Sequence, residues 1–266
     1  MKNKILFLIL IVLILITFIC AYQILKWYIN KIDIEKQTKE IDEISELKEI
    51  ENSDKLNIIN PPTDKENDYW DYIKMPFINV KFLELLKKNP ETVGWIKVNG
   101  TNINYPIVKR DNSYYLTHSF DGSYNKAGWV FLDYRNDLNN LSKNNIVYAH
   151  GRLDKTMFGT LKDALNTSWS SNKENHIISI SSPNDNSMWQ VFSVYTISTE
   201  NYYTNTSFKN NEDYEEFLNT ITNRSHYNFN VKTNVNDKII TLSTCHKNNT
   251  NRVVMHAKLI KTDKHK

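Results

Sequence analysis

Two cysteines, six glycines and six prolines in 266 residues exclude several architectures at once. Two thiols cannot build a disulfide-rich scaffold, a four-cysteine zinc site or an iron–sulfur cluster. So little Gly and Pro rules out a collagen-like or Pro-rich low-complexity chain. Charge of one sign is also scarce: the net charge is only +3, which gives no footing for nucleic-acid binding. Apolar residues are not scarce, however. At 40 % hydrophobic and 12 % aromatic, the chain is too apolar for disorder. Its length allows one large domain or two small ones.

The averages hide three unlike segments. Residues 1–30 carry Lys2 and Lys4 and then an apolar run from Ile5 to Tyr22 without a charge. With Ile24 and Leu25 it reads as a transmembrane helix over about residues 5–25, since roughly 20 residues cross the hydrocarbon. Trp27 and Tyr28 suit the interfacial belt beyond it. A cleaved signal peptide fits less well, because the run is long and no small-x-small site follows. Lipidation of Cys20 fits less well too, because bulky Thr17-Phe18-Ile19 precede it. Lys2 and Lys4 favour a cytoplasmic N-terminus, which puts the bulk of the chain outside the cell. Residues 31–68 hold six Lys and twelve Asp or Glu, a net charge of −6. Ile41, Ile44, Leu47 and Ile50 recur every three residues among them, which predicts a solvated acidic helix ending before Pro61-Pro62, a stalk or linker. Residues 69–266, with a net charge of +6, form the globular domain.

Within that domain the pattern is mainly β. Trp95–Lys109 alternates around the turn signal Asn99-Gly100. Short apolar runs follow at 129–132, 146–149, 177–180, 189–197, 239–245 and 253–260. Helical patterns cover 82–88, 157–165 and 213–222. Many short strands with a few helices predict a closed or sandwiched β domain.

The last two strands carry the chemistry. Cys245 ends the run 238–245 and shares a face with Thr241 and Ser243. An Asn- and Lys-rich loop follows, and Arg252 opens the next strand. Val253, Met255, Ala257 and Leu259 form the apolar face of that strand, with Arg252, Val254, His256 and Lys258 opposite. If the two strands pair across the loop, Cys245 and Arg252 meet at one end. Cys245 is also the only cysteine outside the predicted span. A thiol nucleophile needs a base or an ion-pair partner. His246 is adjacent but points elsewhere on a strand, and His256 lies about 13 Å along the strand from Arg252. His118, His176, His226 and His265 have no special context. His150 follows the apolar run 146–149 and precedes Gly151, so it sits at a strand end, where sites are built.

Thr241-Leu242-Ser243-Thr244-Cys245, followed by Arg252-Val253-Val254, resembles the TLxTC…R signature of sortases, the membrane-anchored cysteine transpeptidases of Gram-positive bacteria. Asn102–Val108, Asp111–Leu116, Phe131–Asn136, Met157-Phe158 and the helix opened by Asp213-Tyr214 resemble class B sortases. The likeness covers roughly residues 80–262. It implies an eight-stranded closed β-barrel with an N-terminal helix and an extra helix before the seventh strand. It implies Cys245 as nucleophile, His150 as acid/base and Arg252 as oxyanion or substrate holder. Asn112, Leu116, Tyr202, Tyr203 and Ser243 are the implied groove for a sorting peptide. The partners it implies are secreted proteins with a C-terminal sorting signal and a peptidoglycan amine, and it requires no cofactor or metal. The residues alone leave open a thiol protease that only hydrolyses and a non-catalytic envelope-binding module. A zinc role for Cys245, His246 and His256 lacks the usual ligand spacing.

Overall fold

In the computed structural model, which describes residues 2–198, 200–245 and 251–265 and of Cys245 the backbone alone, the Asn99-Gly100 signal does form a hairpin. Strands β1 (Thr92–Val98) and β2 (Asn104–Val108) pair antiparallel on either side of it. Gly100 has φ +69°, and a Cβ there would strike the Asn175 side chain at 2.3 Å, so both conformation and space demand glycine. Six further strands follow: β3 (Phe131–Leu132), β4 (Asn144–His150), β5 (Ile177–Ser181), β6 (Asp185–Ile197), β7 (Ile239–Cys245) and β8 (Arg252–Lys264). The sheet runs β7-β4-β3-β2-β1-β5-β6-β8, and β8 pairs back onto β7 to close an eight-stranded barrel. Two neighbours are parallel, β2 with β3 and β4 with β7. Closure removes the free strand edges that an open sheet would expose.

The alternation read from the last two strands holds on the inner face. Ile240 and Leu242 of β7 and Met255, Ala257 and Leu259 of β8 join one apolar core with Trp95, Trp129 and Trp189. The opposite face of β8 is buried as well. Val254 packs with Phe192, Tyr195 and Ile197 of β6 beneath a helix, and His256 has no exposed surface.

The helices that decorate the barrel and run beyond a single turn are α1 (Lys2–Ser45), α2 (Tyr69–Lys74), α3 (Phe82–Lys88) and α4 (Asn211–Asn223). α4 precedes the seventh barrel strand. The Asn210 side chain caps it by accepting from the Asp213 amide at 2.9 Å, and Glu212 and Asp213 complement its N-terminal dipole. Its buried face, Tyr214, Phe217, Leu218 and Ile221, covers β6–β8, each side chain contributing about 1.5–3 kcal/mol. α1 is long and apolar enough to cross a membrane.

Two expectations need correction. The helical pattern at 157–165 yields only a 3-10 turn at Leu161–Leu165, preceded by Lys155 and Met157 at φ +65° and +53°. Phe158, Leu161 and Ala164 recur every three residues, which suits 3-10 geometry as well as α. The acidic helix does not reach Pro61-Pro62 but ends at Ser45, where Glu46 turns left-handed at φ +43°. Lys48–Ile50 then pairs with Phe77–Asn79, and Leu56–Ile58 adds to the outer edge of β8. The apolar stripe serves packing: Ile34 and Ile41 are fully buried against the domain. Lys261 of β8 ties this segment down from inside, donating to Asn52 Oδ1 and the Ile73 carbonyl at 2.9 Å each and to the Met75 carbonyl at 2.5 Å.

Candidate active site

Register brings the thiol and imidazole residues together. β4 and β7 run parallel from Ile239↔Asn144 to Cys245↔His150, so the two residues end neighbouring strands side by side. β7 and β8 pair antiparallel through Ser243↔Val254, and Cys245 and Arg252 each lie two residues beyond that pair, at the same end of the two strands. His150, remote in sequence, therefore shares one rim of the barrel with Cys245 and Arg252. Residues 246–250, which hold His246 and most of the Asn/Lys-rich loop, lie outside the described residues.

His150 is held by its own surroundings. Its Nε2 lies 2.7 Å from the Leu116 carbonyl. A carbonyl can only accept, so Nε2 is assigned the proton and Nδ1 is left as the ring's acceptor. Gly128, at φ +64°, lets the ring in: a Cβ there would sit 3.0 Å from His150 Cδ2 and 2.5 Å from the Tyr115 carbonyl. Leu116 thus meets the site through its backbone.

Arg252 is half-buried and pairs with Ile197 of β6. Its guanidinium donates to the Tyr203 hydroxyl at 3.0 Å, and that hydroxyl lies 3.1 Å from Ser243 Oγ. Tyr203 and Ser243 are buried, so both sit behind the rim with Arg252. Tyr202 turns the other way. Its hydroxyl is 3.1 Å from that of Tyr195, and the Arg224 guanidinium stacks over its ring at 4.8 Å. Asn112 is set apart from these, donating to Asp133 Oδ2 at 3.0 Å and accepting the Tyr134 amide at 3.0 Å.

Pattern reading assigned no role to the residues supporting this arrangement. Tyr195 OH reaches His256 Nε2 at 2.9 Å, and His256 Nδ1 reaches Thr241 Oγ1 at 2.8 Å. Thr241 donates to Asn144 Oδ1 at 2.6 Å, and Asn144 Nδ2 holds the Tyr203 carbonyl at 3.0 Å. With both ring nitrogens engaged, His256 is a poor metal ligand. Burial pushes its pKa down to about 3, so it stays neutral. A second cluster centres on buried Asp133. Burial opposes its charge, but the Arg135 guanidinium at 2.7 Å, with help from Asn112, holds the carboxyl below its usual range. Tyr148 of β4 also donates to it, at 3.1 Å, and Arg135 reaches the Thr204 carbonyl at 3.0 Å. Buried polar side chains at 144, 148 and 241 on otherwise apolar strands were the signal for these contacts.

The sortase domain family matches residues 96–260, more than half of the chain and every barrel strand apart from the ends of the first and last. The chain belongs to the sortase family. Sortase B of Staphylococcus aureus is 38 % identical over 188 residues, covering 69 % of this chain and 76 % of that protein. A solved S. aureus sortase B–substrate complex matches with TM-score 0.64 at 39 % identity, over 68 % of this chain and 84 % of that one. The structure of sortase B complexed with triglycine matches with TM-score 0.65 at 39 % identity, over 68 % and 85 %. This sortase is of the B type, a cysteine transpeptidase that anchors proteins to the cell wall. Its closed eight-stranded barrel is the fold the signature implied.

Proposed function

We propose that this sortase uses Cys245 as nucleophile, His150 as acid/base and Arg252 as oxyanion holder. The observation that carries the reading is register: Cys245 lies beside His150 across a parallel pair, and Arg252 lies at the same rim. The Cys245 thiolate attacks the carbonyl of the scissile bond in a C-terminal sorting motif. Arg252 and backbone N–H groups stabilise the oxyanion, an effect of roughly 3–4 kcal/mol per donor in other acyl-transfer enzymes. As the C–N bond breaks, His150 protonates the leaving amine. An acceptor amine then attacks the thioester, His150 takes its proton, and the C–S bond breaks to free Cys245. The guanidinium stays charged at any workable pH and serves poorly as a proton shuttle.

Partners follow from the relatives. One S. aureus structure is a substrate complex and another sortase B structure holds triglycine, which supports a sorting peptide and a peptidoglycan-type amine as the two substrates here. Asn112, Leu116, Tyr202, Tyr203 and Ser243 are proposed to shape the peptide groove, Leu116 through its backbone and Tyr203 and Ser243 from behind. Residues 1–30 anchor the enzyme with its N-terminus in the cytoplasm, 31–68 join anchor to enzyme, and 69–266 catalyse outside the cell. Fluorogenic sorting peptides incubated with and without triglycine test the reading. Wild type should incorporate the amine, and Cys245→Ala should trap no thioester. Cleavage without amine incorporation would make the protein a hydrolase instead.

A further inference from the structure

The catalytic end of the barrel lies at the level where α1 leaves the apolar span. At 1.5 Å per residue, Ile5 to Leu25 covers about 30 Å, the thickness of the hydrocarbon layer. Trp27 follows one half-turn later. The Arg152 guanidinium, two residues after His150, sits 5.9 Å from the Trp27 ring. One turn further along α1, Asn125 Nδ2 donates to the Asn30 carbonyl at 3.2 Å and to Asp33 Oδ2 at 2.9 Å. From there Ile34, Gln37, Ile41 and Ser45 are buried, and the Ser45 carbonyl accepts the Lys81 amide at 2.9 Å. The domain is therefore docked along the side of α1 from residue 27 to 45 and does not stand above its end.

The two loops that touch α1 nearest the span are the two that flank His150. One runs from Leu116, whose carbonyl holds the imidazole, through Asn125 to Gly128. The other is Gly151–Met157. Each exposes a large side chain beside its α1 contact: Leu153 is 85 % exposed and Tyr124 66 %. Exposed Lys126 and Lys155 accompany them. An apolar tip, an aromatic with a polar end and flanking cations form the side-chain set that lipid headgroups favour.

The geometry points to a membrane-facing surface made of Tyr124, Lys126, Leu153 and Lys155, which holds the catalytic rim within the headgroup layer of the bilayer that α1 crosses. The occupant is a phospholipid surface, and α1 sets the height. Substrates then reach the rim laterally along the membrane.

This rests on α1 being a membrane anchor, so the experiment separates the two. Full-length protein carrying Cys20→Ser and Cys245→Ala, with one new cysteine labelled by an environment-sensitive fluorophore, is placed in nanodiscs of phosphatidylglycerol and phosphatidylcholine. Nitroxide lipids labelled at the headgroup or in the acyl chain are the quenchers. Three variants are compared: Thr17→Cys in the span, Leu153→Cys on the proposed surface, and Asn140→Cys, exposed at the opposite end of β4, roughly 20 Å away. Acyl-chain quenching at 17 with several-fold stronger headgroup quenching at 153 than at 140 is the expected result. Quenching at 17 with equal values at 153 and 140 overturns the inference and leaves the anchor standing. No quenching at 17 overturns both.

Discussion

The two faces of the barrel wall around β6–β8 are built from different materials. The inner face is aliphatic and aromatic, with Ile240, Leu242, Met255, Ala257 and Trp189 closing on one another. The outer face, beneath α4, interleaves Tyr195, Tyr203, Thr241, Ser243 and His256 with apolar neighbours, and the polar groups bond to one another in a chain. Apolar packing is non-directional and fixes where the strands end. Hydrogen bonds are directional and fix how the side chains at those ends are aimed. The wall thus separates the task of holding shape from the task of orienting Arg252, and substitutions on its two faces should separate in the same way.

The largest effect belongs to the rim itself. Cys245→Ala should lower peptide turnover by on the order of 10⁴-fold or more and leave the melting temperature within a degree or two, because a nucleophile contributes to chemistry and little to packing. A matching loss of stability would show that the residue is structural. The inner face should do the reverse. Trp189→Ala leaves a large void in a fully buried site and should cost about 3–5 kcal/mol of unfolding free energy, read from urea midpoints. At temperatures where the variant is folded, its kcat/KM should stay close to wild type, and a parallel collapse of kcat/KM would erase the distinction between the faces.

The outer face should declare itself in acid. Burial holds His256 neutral, with its pKa lowered from 6.5 to about 3. Below pH 6.5 the unfolded chain binds a proton that the folded chain refuses until about pH 3. The stability this group supplies is complete above the unfolded value and is lost as pH falls through that window, by up to about 1.4 kcal/mol per pH unit. His256→Gln should therefore be weaker at neutral pH yet lose stability less steeply between pH 6.5 and pH 4. Identical slopes in wild type and variant would remove His256 from the acid response.

What could be read from the residues alone was the inner face. Period-two alternation in β7 and β8, the Asn99-Gly100 turn and the helix at 211–223 are local signals, and each appears in the fold close to where the pattern put it. The signature motif supplied Cys245 and Arg252 as neighbours because a hairpin is local too. The outer face was hidden for a physical reason. Thr241 and Asn144 meet across a parallel pair 97 residues apart in sequence, and nothing near either residue announces the other. His256 read only as a member of the face opposite the apolar one, because α4, which covers that face, comes from a separate part of the chain. The end of α1 at Ser45 was missed similarly: charged residues suggested continued helix, whereas pairing with Phe77–Asn79 and β8 favoured strands.

The smallest effect tests the comparison most finely. Tyr203→Phe removes one oxygen from a buried ring and leaves its packing in place. That oxygen accepts from Arg252 and contacts Ser243, so its loss removes one tether of the guanidinium without disturbing the inner face. A hydrogen bond to a charged group contributes about 1.5–3 kcal/mol, and part of that is recovered when the guanidinium finds other partners. The expected outcome is a fall in kcat/KM of about tenfold, carried mainly by kcat, with little change in urea midpoint. If Tyr203 acts by aiming Arg252, the loss shrinks when Arg252 is already Lys, because the point charge of Lys cannot use the same geometry. Additive losses in the double variant would mean that Tyr203 works through the peptide groove alone.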